Sequence, residues 1–311
     1  MCGILLGVLL VGVAWAADAP RLAPKGRRAL WIWNPTFLEN GDDFGELLKF
    51  TRKRRVQTLF LYASTRRLEA KPEVYRKFLE RAHRANLVVH ALNGSPEWTL
   101  REERSEPRAF LNAVFTFNRA SRAAERFDAV HLDVEPQSLR RWTSPGSEDI
   151  RRNLAEQYLD LLKWARRKTS DEGLRLAVDI PVVFATIQLE SRPLLAEVME
   201  QVDEVAVMAY LDNTAEVLAG SRVPMEHATR MGKGVWVGLS ADPEHLPRAK
   251  PGKKLEPALE KLAREVERSL AGRTAFRGVA IHDYDHYRRT QCKSLEKCRP
   301  DAPQAPAEST Y

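Results

Sequence analysis

The sequence predicts an α/β fold, a single-domain (β/α)8 or TIM barrel, and three observations support that prediction. Short apolar runs rich in Val, Ile and Leu recur eight times along the 311 residues. Stretches with helical spacing of apolar residues separate these runs, and strict strand–helix alternation implies a parallel sheet. The repeats occupy ~260 residues, close to the ~250 residues of a typical barrel. A doubly wound open sheet is the alternative, but no glycine-rich phosphate turn follows the first run.

The predicted strands are near-continuous apolar runs, as expected for strands buried on both faces. They are Ala29–Asn34, Val56–Ala63, Asn86–Asn93, Phe127–Pro136, Leu174–Pro181, Glu204–Tyr210, Gly234–Ala241 and Gly278–Asp285. Helices are predicted between them over 42–54, 72–85, 108–126, 147–168, 189–201, 214–231 and 256–270. Start signals support several helices: Asp42 or Asp43 and Ser147 as N-caps, and Pro72 in a first turn.

Composition is that of an ordinary globular protein, with 44% hydrophobic and 29% charged residues. The net charge of +7 indicates an arginine-rich solvated surface, with attraction to anionic polymers or lipid headgroups as the alternative. Because the basic residues are scattered and no recognition motif is present, we expect no nucleic-acid partner. The pattern calls for no cofactor or metal, and we expect a monomer.

The first residues have the pattern of a secretory signal peptide. The apolar run Ile4–Trp15 precedes a small-residue cleavage site at Ala16 or Ala17, and a retained anchor is the alternative. We therefore predict a signal peptide over 1–17, a linker over 18–28, the barrel domain over 29–299 and a disordered tail over 300–311. The expected location is periplasmic or secreted, with no membrane insertion after cleavage. Cys292 and Cys298 are candidates for a disulfide in an oxidising compartment.

One predicted strand ends in acidic residues. In Phe127–Pro136, side chains point to opposite faces with period two, so His131, Asp133 and Glu135 share one face. Unpaired buried charge is costly, so two carboxyl groups on one face of a buried strand indicate a function. In (β/α)8 barrels the active site lies where the strands end, which is where these acids fall.

Other chemistry-bearing residues also lie at the predicted strand ends, whereas the N-terminal ends carry little comparable. The substrate-binding candidates are Trp33, Asn93, His131, Asp179, Met208, Asp212 and Asp283. Paired carboxyl groups and flat aromatic rings suit sugar rings, and glycosidases need a protonated acid at the leaving oxygen. Trp31 and Trp236 are expected to pack in the core. Asp179 is also a candidate second carboxylate for a conventional two-acid mechanism.

The fourth-strand run FDAVHLDVE resembles a signature of the family 18 glycoside hydrolases, the chitinase-like barrels, which reads Asp-x-x-Asp-x-Asp-x-Glu. Asp128, Asp133 and Glu135 match that pattern, and His131 stands where the second Asp belongs. The resemblance implies Glu135 as general acid and Asp133 as the residue that orients an N-acetyl group and shares a proton with Glu135. A hydrogen-bonded core histidine is the alternative interpretation of His131.

The sixth strand strengthens the resemblance. VMAYLDN is similar to the family's Met-x-Tyr-Asp, with Met208 and Tyr210 in place and the Asp one residue late, at Asp212. The resemblance implies that Tyr210 hydrogen-bonds the acetamido oxygen. The eighth strand departs from the pattern, because IHDYD stands where the family has a Trp.

Together these residues predict a secreted or periplasmic glycoside hydrolase acting on a polysaccharide or oligosaccharide, with Glu135, Asp133 and Tyr210 catalytic. One alternative is a metal-dependent phosphodiesterase on the same barrel. Its ion would be held by Asp133, Glu135 and Asp179, with acid–base histidines available at His90, His131 or His282. The other alternative is a catalytically inactive barrel that binds carbohydrate.

Overall fold

The computed structural model describes residues 28–39, 41–144, 148–190, 192–246 and 255–291. Eight parallel strands form a closed barrel in chain order, with the last strand paired to the first. They are β1 Arg28–Ile32, β2 Val56–Tyr62, β3 Val88–Asn93, β4 Ala129–Leu132, β5 Arg175–Pro181, β6 Glu204–Met208, β7 Gly234–Ser240 and β8 Phe276–His282. The predicted (β/α)8 barrel is confirmed.

Helices connect and cover the strands. They are α1 Gly41–Arg54, α2 Thr65–Ala70, α3 Pro72–Arg84, α4 Ser105–Arg119, α5 Glu148–Asp171, α6 Leu194–Gln201, α7 Thr214–Met231, α8 Glu256–Leu270 and α9 Tyr284–Arg289. The sequence did not predict α2 or α9, which are one to two turns long and lack a long apolar period. Each is marked instead by a side-chain cap, Ser64 for α2 and Asp283 for α9.

Several predictions concern residues outside the described ranges. The signal peptide, the tail, the Cys292–Cys298 pair and the Ser147 cap all fall there, as does the linker up to residue 27. Within the described ranges, no helix has the length and apolarity needed to cross a membrane.

Large aromatic side chains fill the inside of the barrel. Trp31 and Trp236 are almost fully buried, as predicted, and pack in one cluster with Phe60. The Phe60 ring lies edge-on to both, with ring centroids 5.0 Å from Trp31 and 6.0 Å from Trp236. Gly238 makes room for Trp31, because a Cβ there would lie 3.2 Å from the indole and 2.8 Å from the Val207 carbonyl oxygen. Such layered side chains make the barrel interior a packed core.

The N-terminal ends of the strands hold a buried ion pair. Glu204 begins β6, is fully buried and contacts the guanidinium of Arg175 at the start of β5. The indole N–H of Trp236 donates to the other carboxyl oxygen of Glu204 at 2.5 Å. A charged pair at this depth needs such partners, because an unpaired buried charge is strongly destabilising.

The strand that carries the acids is shorter than predicted. β4 ends at Leu132, although the backbone N–H of Asp133 still donates to the Asn93 carbonyl oxygen at 3.1 Å. Pro136 then starts a short 3₁₀ turn, since proline has no N–H for a ladder. The alternation of side chains is as predicted. Leu132 and Val134 pack in the core that faces the helices. His131 lies inside the barrel, with its ring centroid 4.2 Å from that of Phe60.

The ion pair at the barrel floor gives a stability prediction. Glu204→Ala leaves Arg175 unpaired and is expected to lower the free energy of unfolding by about 3–5 kcal/mol. The control is Glu226→Ala, which breaks an exposed pair with Arg222 and is expected to change stability by less than about 1 kcal/mol. Chemical denaturation of both variants tests this. Equal losses in the free energy of unfolding would contradict the stabilising role of the Arg175–Glu204 pair.

Candidate active site

The backbone around Asp133 is held by the loop that follows β3. The Asn93 side chain donates to the Ala63 carbonyl oxygen at 2.9 Å and accepts from the Gly94 N–H at 2.8 Å. Gly94 in turn lies against Asp133, where a Cβ would be 1.9 Å from the Asp133 carbonyl oxygen. Both polar atoms of the Asn93 side chain therefore bond to backbone groups. These bonds hold the segment that contacts the backbone of Asp133.

A third carboxyl group, Asp179 of β5, lies beside the two acids. It is 1% exposed, and its Oδ2 accepts a hydrogen bond from the indole N–H of Trp31 at 3.1 Å. His131 Nε2 lies 3.0 Å from the other oxygen, Oδ1, without the alignment of a full hydrogen bond. His131 is fully buried, which places this predicted substrate-binding residue beneath the site and away from the open mouth.

Two of the carboxyl groups, Asp133 and Glu135, have raised pKa values. Burial raises the pKa of Asp133 well above its usual range, and the charges of Asp179 and Glu135 add to that effect. Burial also raises the pKa of Glu135, again with help from Asp179, while hydrogen bonds from Gln137 and Ser138 act in the opposite direction. The result is a pair of acids that hold protons more readily than exposed carboxyl groups do.

Tyr210 faces the same group of acids. Its pKa is raised well above the usual value by burial and then by Asp179, Asp133 and Glu135, so the phenol keeps its proton and remains a hydrogen-bond donor. The ring lies 5.3 Å from that of His282 and 6.2 Å from that of His245.

Trp33 forms an aromatic edge of the mouth. Its indole N–H donates to His282 Nε2 at 3.1 Å, which makes that nitrogen an acceptor. Burial lowers the pKa of His282, consistent with a neutral imidazole. The Trp33 ring is partly exposed and lies 6.0 Å from that of Tyr62, so a flat apolar face remains open at the mouth.

The remaining predicted residues lie at the periphery. Met208 ends β6 and is partly exposed, opposite Gly238 of β7. Asp212 is exposed, and its side chain accepts from the Asn213 amide at 3.3 Å. Asp283 caps α9 by accepting from the backbone N–H of His286 at 3.0 Å, and His286 Nδ1 lies 3.1 Å from the same oxygen. Burial opposes ionisation of Asp283, but the bonds from His286 outweigh it and lower the pKa.

Sequence reasoning missed three contributors to the site: Gln137, Tyr158 and Gly94. Gln137 donates to Glu135 Oε2 at 2.7 Å, and its position two residues after the acid was an available signal. Tyr158 of α5 is fully buried, and its hydroxyl has no hydrogen-bond partner among the described residues. Burial, and then the charges of Asp179, Asp133 and Glu135, raise the pKa of Tyr158. In the sequence, Tyr158 looks like any other buried position of a helix, so nothing there pointed to the site.

The described residues contain no group of three or more His, Cys, Asp or Glu side chains arranged to hold a metal ion. Asp133, Glu135 and Asp179, which the phosphodiesterase alternative requires as ligands, therefore do not form such a group there.

Comparisons with known proteins agree on the fold. No protein-family model matches the chain, and no curated protein matches it in sequence. A chitinase from Chromobacterium violaceum superposes with TM-score 0.51 at 12% identity, over 88% of this chain and 98% of that one. The PgaB (BpsB) glycoside hydrolase domain from Bordetella bronchiseptica gives 0.51 at 11%, over 86% and 96%. Xylanase 10C from Cellvibrio japonicus gives 0.52 at 12%, over 93% and 70%. At such identities these likenesses show the barrel fold alone.

The contact between Gly94 and Asp133 gives a second stability prediction. Gly94→Ala forces the Asp133 peptide to move and is expected to lower the free energy of unfolding by about 1–3 kcal/mol, as overpacking does. Gly45→Ala on α1 is the control, because a Cβ there meets nothing within 4 Å, and it is expected to be neutral or stabilising. Thermal and chemical denaturation compare the two variants. A Gly94→Ala protein as stable as wild type would refute the close contact between Gly94 and Asp133.

Proposed function

We propose that the protein is a glycoside hydrolase whose general acid is Glu135. The observation that carries the proposal is the cluster of Asp133, Glu135 and Asp179 at the C-terminal mouth of the barrel, where Asp133 and Glu135 have raised pKa values. A glycosidic oxygen is a poor leaving group unless it is protonated as the bond breaks. An acid that keeps its proton toward neutral pH is suited to that task.

The proposed reaction follows the resemblance to family 18. The acetamido oxygen of an N-acetylated sugar attacks its own anomeric carbon as Glu135 passes its proton to the leaving oxygen. Asp133 orients the acetamido group, and the Tyr210 hydroxyl donates a hydrogen bond to it. A water molecule then gives a proton to Glu135 and attacks the anomeric carbon, which restores the acid and opens the cyclic intermediate.

The aromatic mouth supports a sugar substrate. Trp33 and Tyr62 are partly exposed aromatic residues at the C-terminal ends of β1 and β2, and sugar rings stack on such flat surfaces through their C–H faces. The fold neighbours named as a chitinase, a glycoside hydrolase domain and a xylanase support the class of enzyme. We propose an N-acetylated or cell-surface polysaccharide as substrate, a monomeric enzyme, and a periplasmic or secreted location that rests on the predicted signal peptide.

The decisive variant is Glu135→Gln, which keeps the shape of the side chain and removes its proton. Loss of a general acid is expected to reduce kcat at least ~10²-fold. The assay is release of reducing ends by the purified protein from chitin oligomers, peptidoglycan and acidic exopolysaccharides. Glu97→Gln, an exposed glutamate in the loop after β3, is the matched control and is expected to keep full activity.

Each alternative outcome has a distinct meaning. Full activity of Glu135→Gln would refute the proposed acid. Wild-type protein that binds a glycan without cleaving it, with the same affinity in the Gln variant, would support the inactive carbohydrate-binding barrel. Hydrolysis of a phosphodiester substrate that a chelator abolishes would favour the metal-dependent phosphodiesterase.

Gln137 gives a pH prediction with a defined sign. Its amide stabilises the ionised form of Glu135 and so lowers the pKa of that carboxyl group. Gln137→Ala removes this effect and raises the pKa, so the protonated acid survives to higher pH. The alkaline limb of kcat/KM is therefore expected to move upward relative to wild type. A limb that stays in place or moves downward would show that this bond does not tune the acid.

A further inference from the structure

The position of Asp179 follows from the barrel register. Leu132 of β4 pairs with Val178 of β5, so Asp133 and Asp179 are the next residues along two adjacent parallel strands. Neighbours at one level of a sheet point to the same face. Both carboxyl groups therefore point into the barrel, and Glu135 lies two residues further toward the mouth.

The three acids have different surroundings. Asp179 is nearly fully buried, with an indole N–H on one oxygen and an imidazole nitrogen 3.0 Å from the other. Asp133 Oδ1, like Asp179 Oδ1, is a buried oxygen with no hydrogen-bond partner in the described part of the chain. The charges that act on Asp133 are the two other carboxyl groups. An unbonded buried oxygen and two acidic neighbours both favour the protonated form of the Asp133 carboxyl group.

These contacts also limit what Asp179 can do. Its burial and its contacts with Trp31 and His131 keep it from the open mouth, so it is placed to act through its neighbours and not by touching a sugar. The conventional two-acid role considered for it from the sequence requires contact with substrate or its attacking water. The buried position is that of a positioning residue.

We propose that Asp179, held in place by Trp31 and His131, keeps Asp133 and Glu135 protonated by presenting a fixed acidic neighbour beneath them. This inference rests on the proposed hydrolase function for its consequence, since protonated Glu135 is the acid. In this chain a carboxyl group of the fifth strand, not of the fourth, sits beneath the acids. His131 then serves as a neighbour of Asp179 inside the barrel.

Other titratable groups also face this cluster from several elements. They are His131 from β4, Tyr158 from α5, Tyr210 from the end of β6 and His282 from β8. Burial keeps the two tyrosines protonated and favours neutral His282.

The test replaces the carboxyl group of Asp179 by an amide of nearly the same shape. Protein labelled with ¹³C at Asp and Glu carboxyl carbons is titrated by NMR, and the Asp133 and Glu135 signals are assigned by their loss in Asp133→Asn and Glu135→Gln. In Asp179→Asn, both carboxyl groups are expected to titrate about 1 pH unit or more lower than in wild type. Unchanged midpoints would overturn the proposal.

The matched control is Asp128→Asn, which changes another buried aspartate five residues earlier, ~16 Å away along the extended chain. Asp128 accepts from His83 Nε2 at 3.0 Å and from the Val89 N–H at 2.7 Å, so it is hydrogen-bonded in a separate place. No shift of the Asp133 and Glu135 midpoints is expected. An equal shift in this control would show a general effect of charge removal and refute the specific role of Asp179.

Kinetics provide a second readout. In Asp179→Asn the alkaline limb of kcat/KM is expected to move to lower pH, with activity partly recovered in acid, whereas a structural role lowers activity equally at every pH. If the wild type cleaves no glycan, the hydrolase proposal fails while the NMR titration still decides the role of Asp179. If the Asn variant does not fold, Asp179→Ser is titrated in the same way.

Discussion

Repulsion among three neighbouring carboxyl groups is the constraint on which the site depends. Asp133, Glu135 and Asp179 are brought together by two adjacent strands, and burial raises the pKa of the first two. Such a cluster is unfavourable for folding unless its members are protonated or hydrogen-bonded. The surrounding structure supplies hydrogen bonds to two of the three. Trp31 donates to Asp179 and Gln137 donates to Glu135, whereas Asp133 Oδ1 has no hydrogen-bond partner among the described residues.

The barrel withstands this unfavourable cluster because the rest of its interior is closely packed. Trp31, Phe60 and Trp236 fill the layers beneath the acids, and the Arg175–Glu204 pair is satisfied at the floor. Glycines permit the closest contacts: Gly94 admits the Asp133 carbonyl, and Gly238 admits the Trp31 ring. Rigid support allows three neighbouring carboxyl groups to persist at the mouth.

The fold alone supports several chemistries, so the class of reaction must be argued from the site. A chitinase and a xylanase superpose on this chain about equally well, at 12% identity in both cases. What favours a glycosidase here is an acid with a raised pKa beside a second carboxyl group, a phenol that stays protonated and a partly exposed indole. His131, which stands where the family 18 signature has an Asp, lies inside the barrel beside Asp179.

Local sequence pattern determined the eight strands, the strand–helix order and the acids of the fourth strand, because alternation and helical periodicity are properties of neighbouring residues. It also indicated Tyr210 and Trp33, which end strands and so reach the mouth of any such barrel. Only the closed barrel decided that Trp31 of β1, His131 of β4 and Asp179 of β5 meet, since contacts across a barrel depend on register and closure. Tertiary structure also separated Asp212, exposed beside Asn213, and Asp283, which caps a short helix, from the central acids. Asp212 and Asp283 follow strand ends as the central acids do, so the local sequence does not distinguish them. The direction of each side chain depends on how the following loop packs, which only the tertiary structure shows.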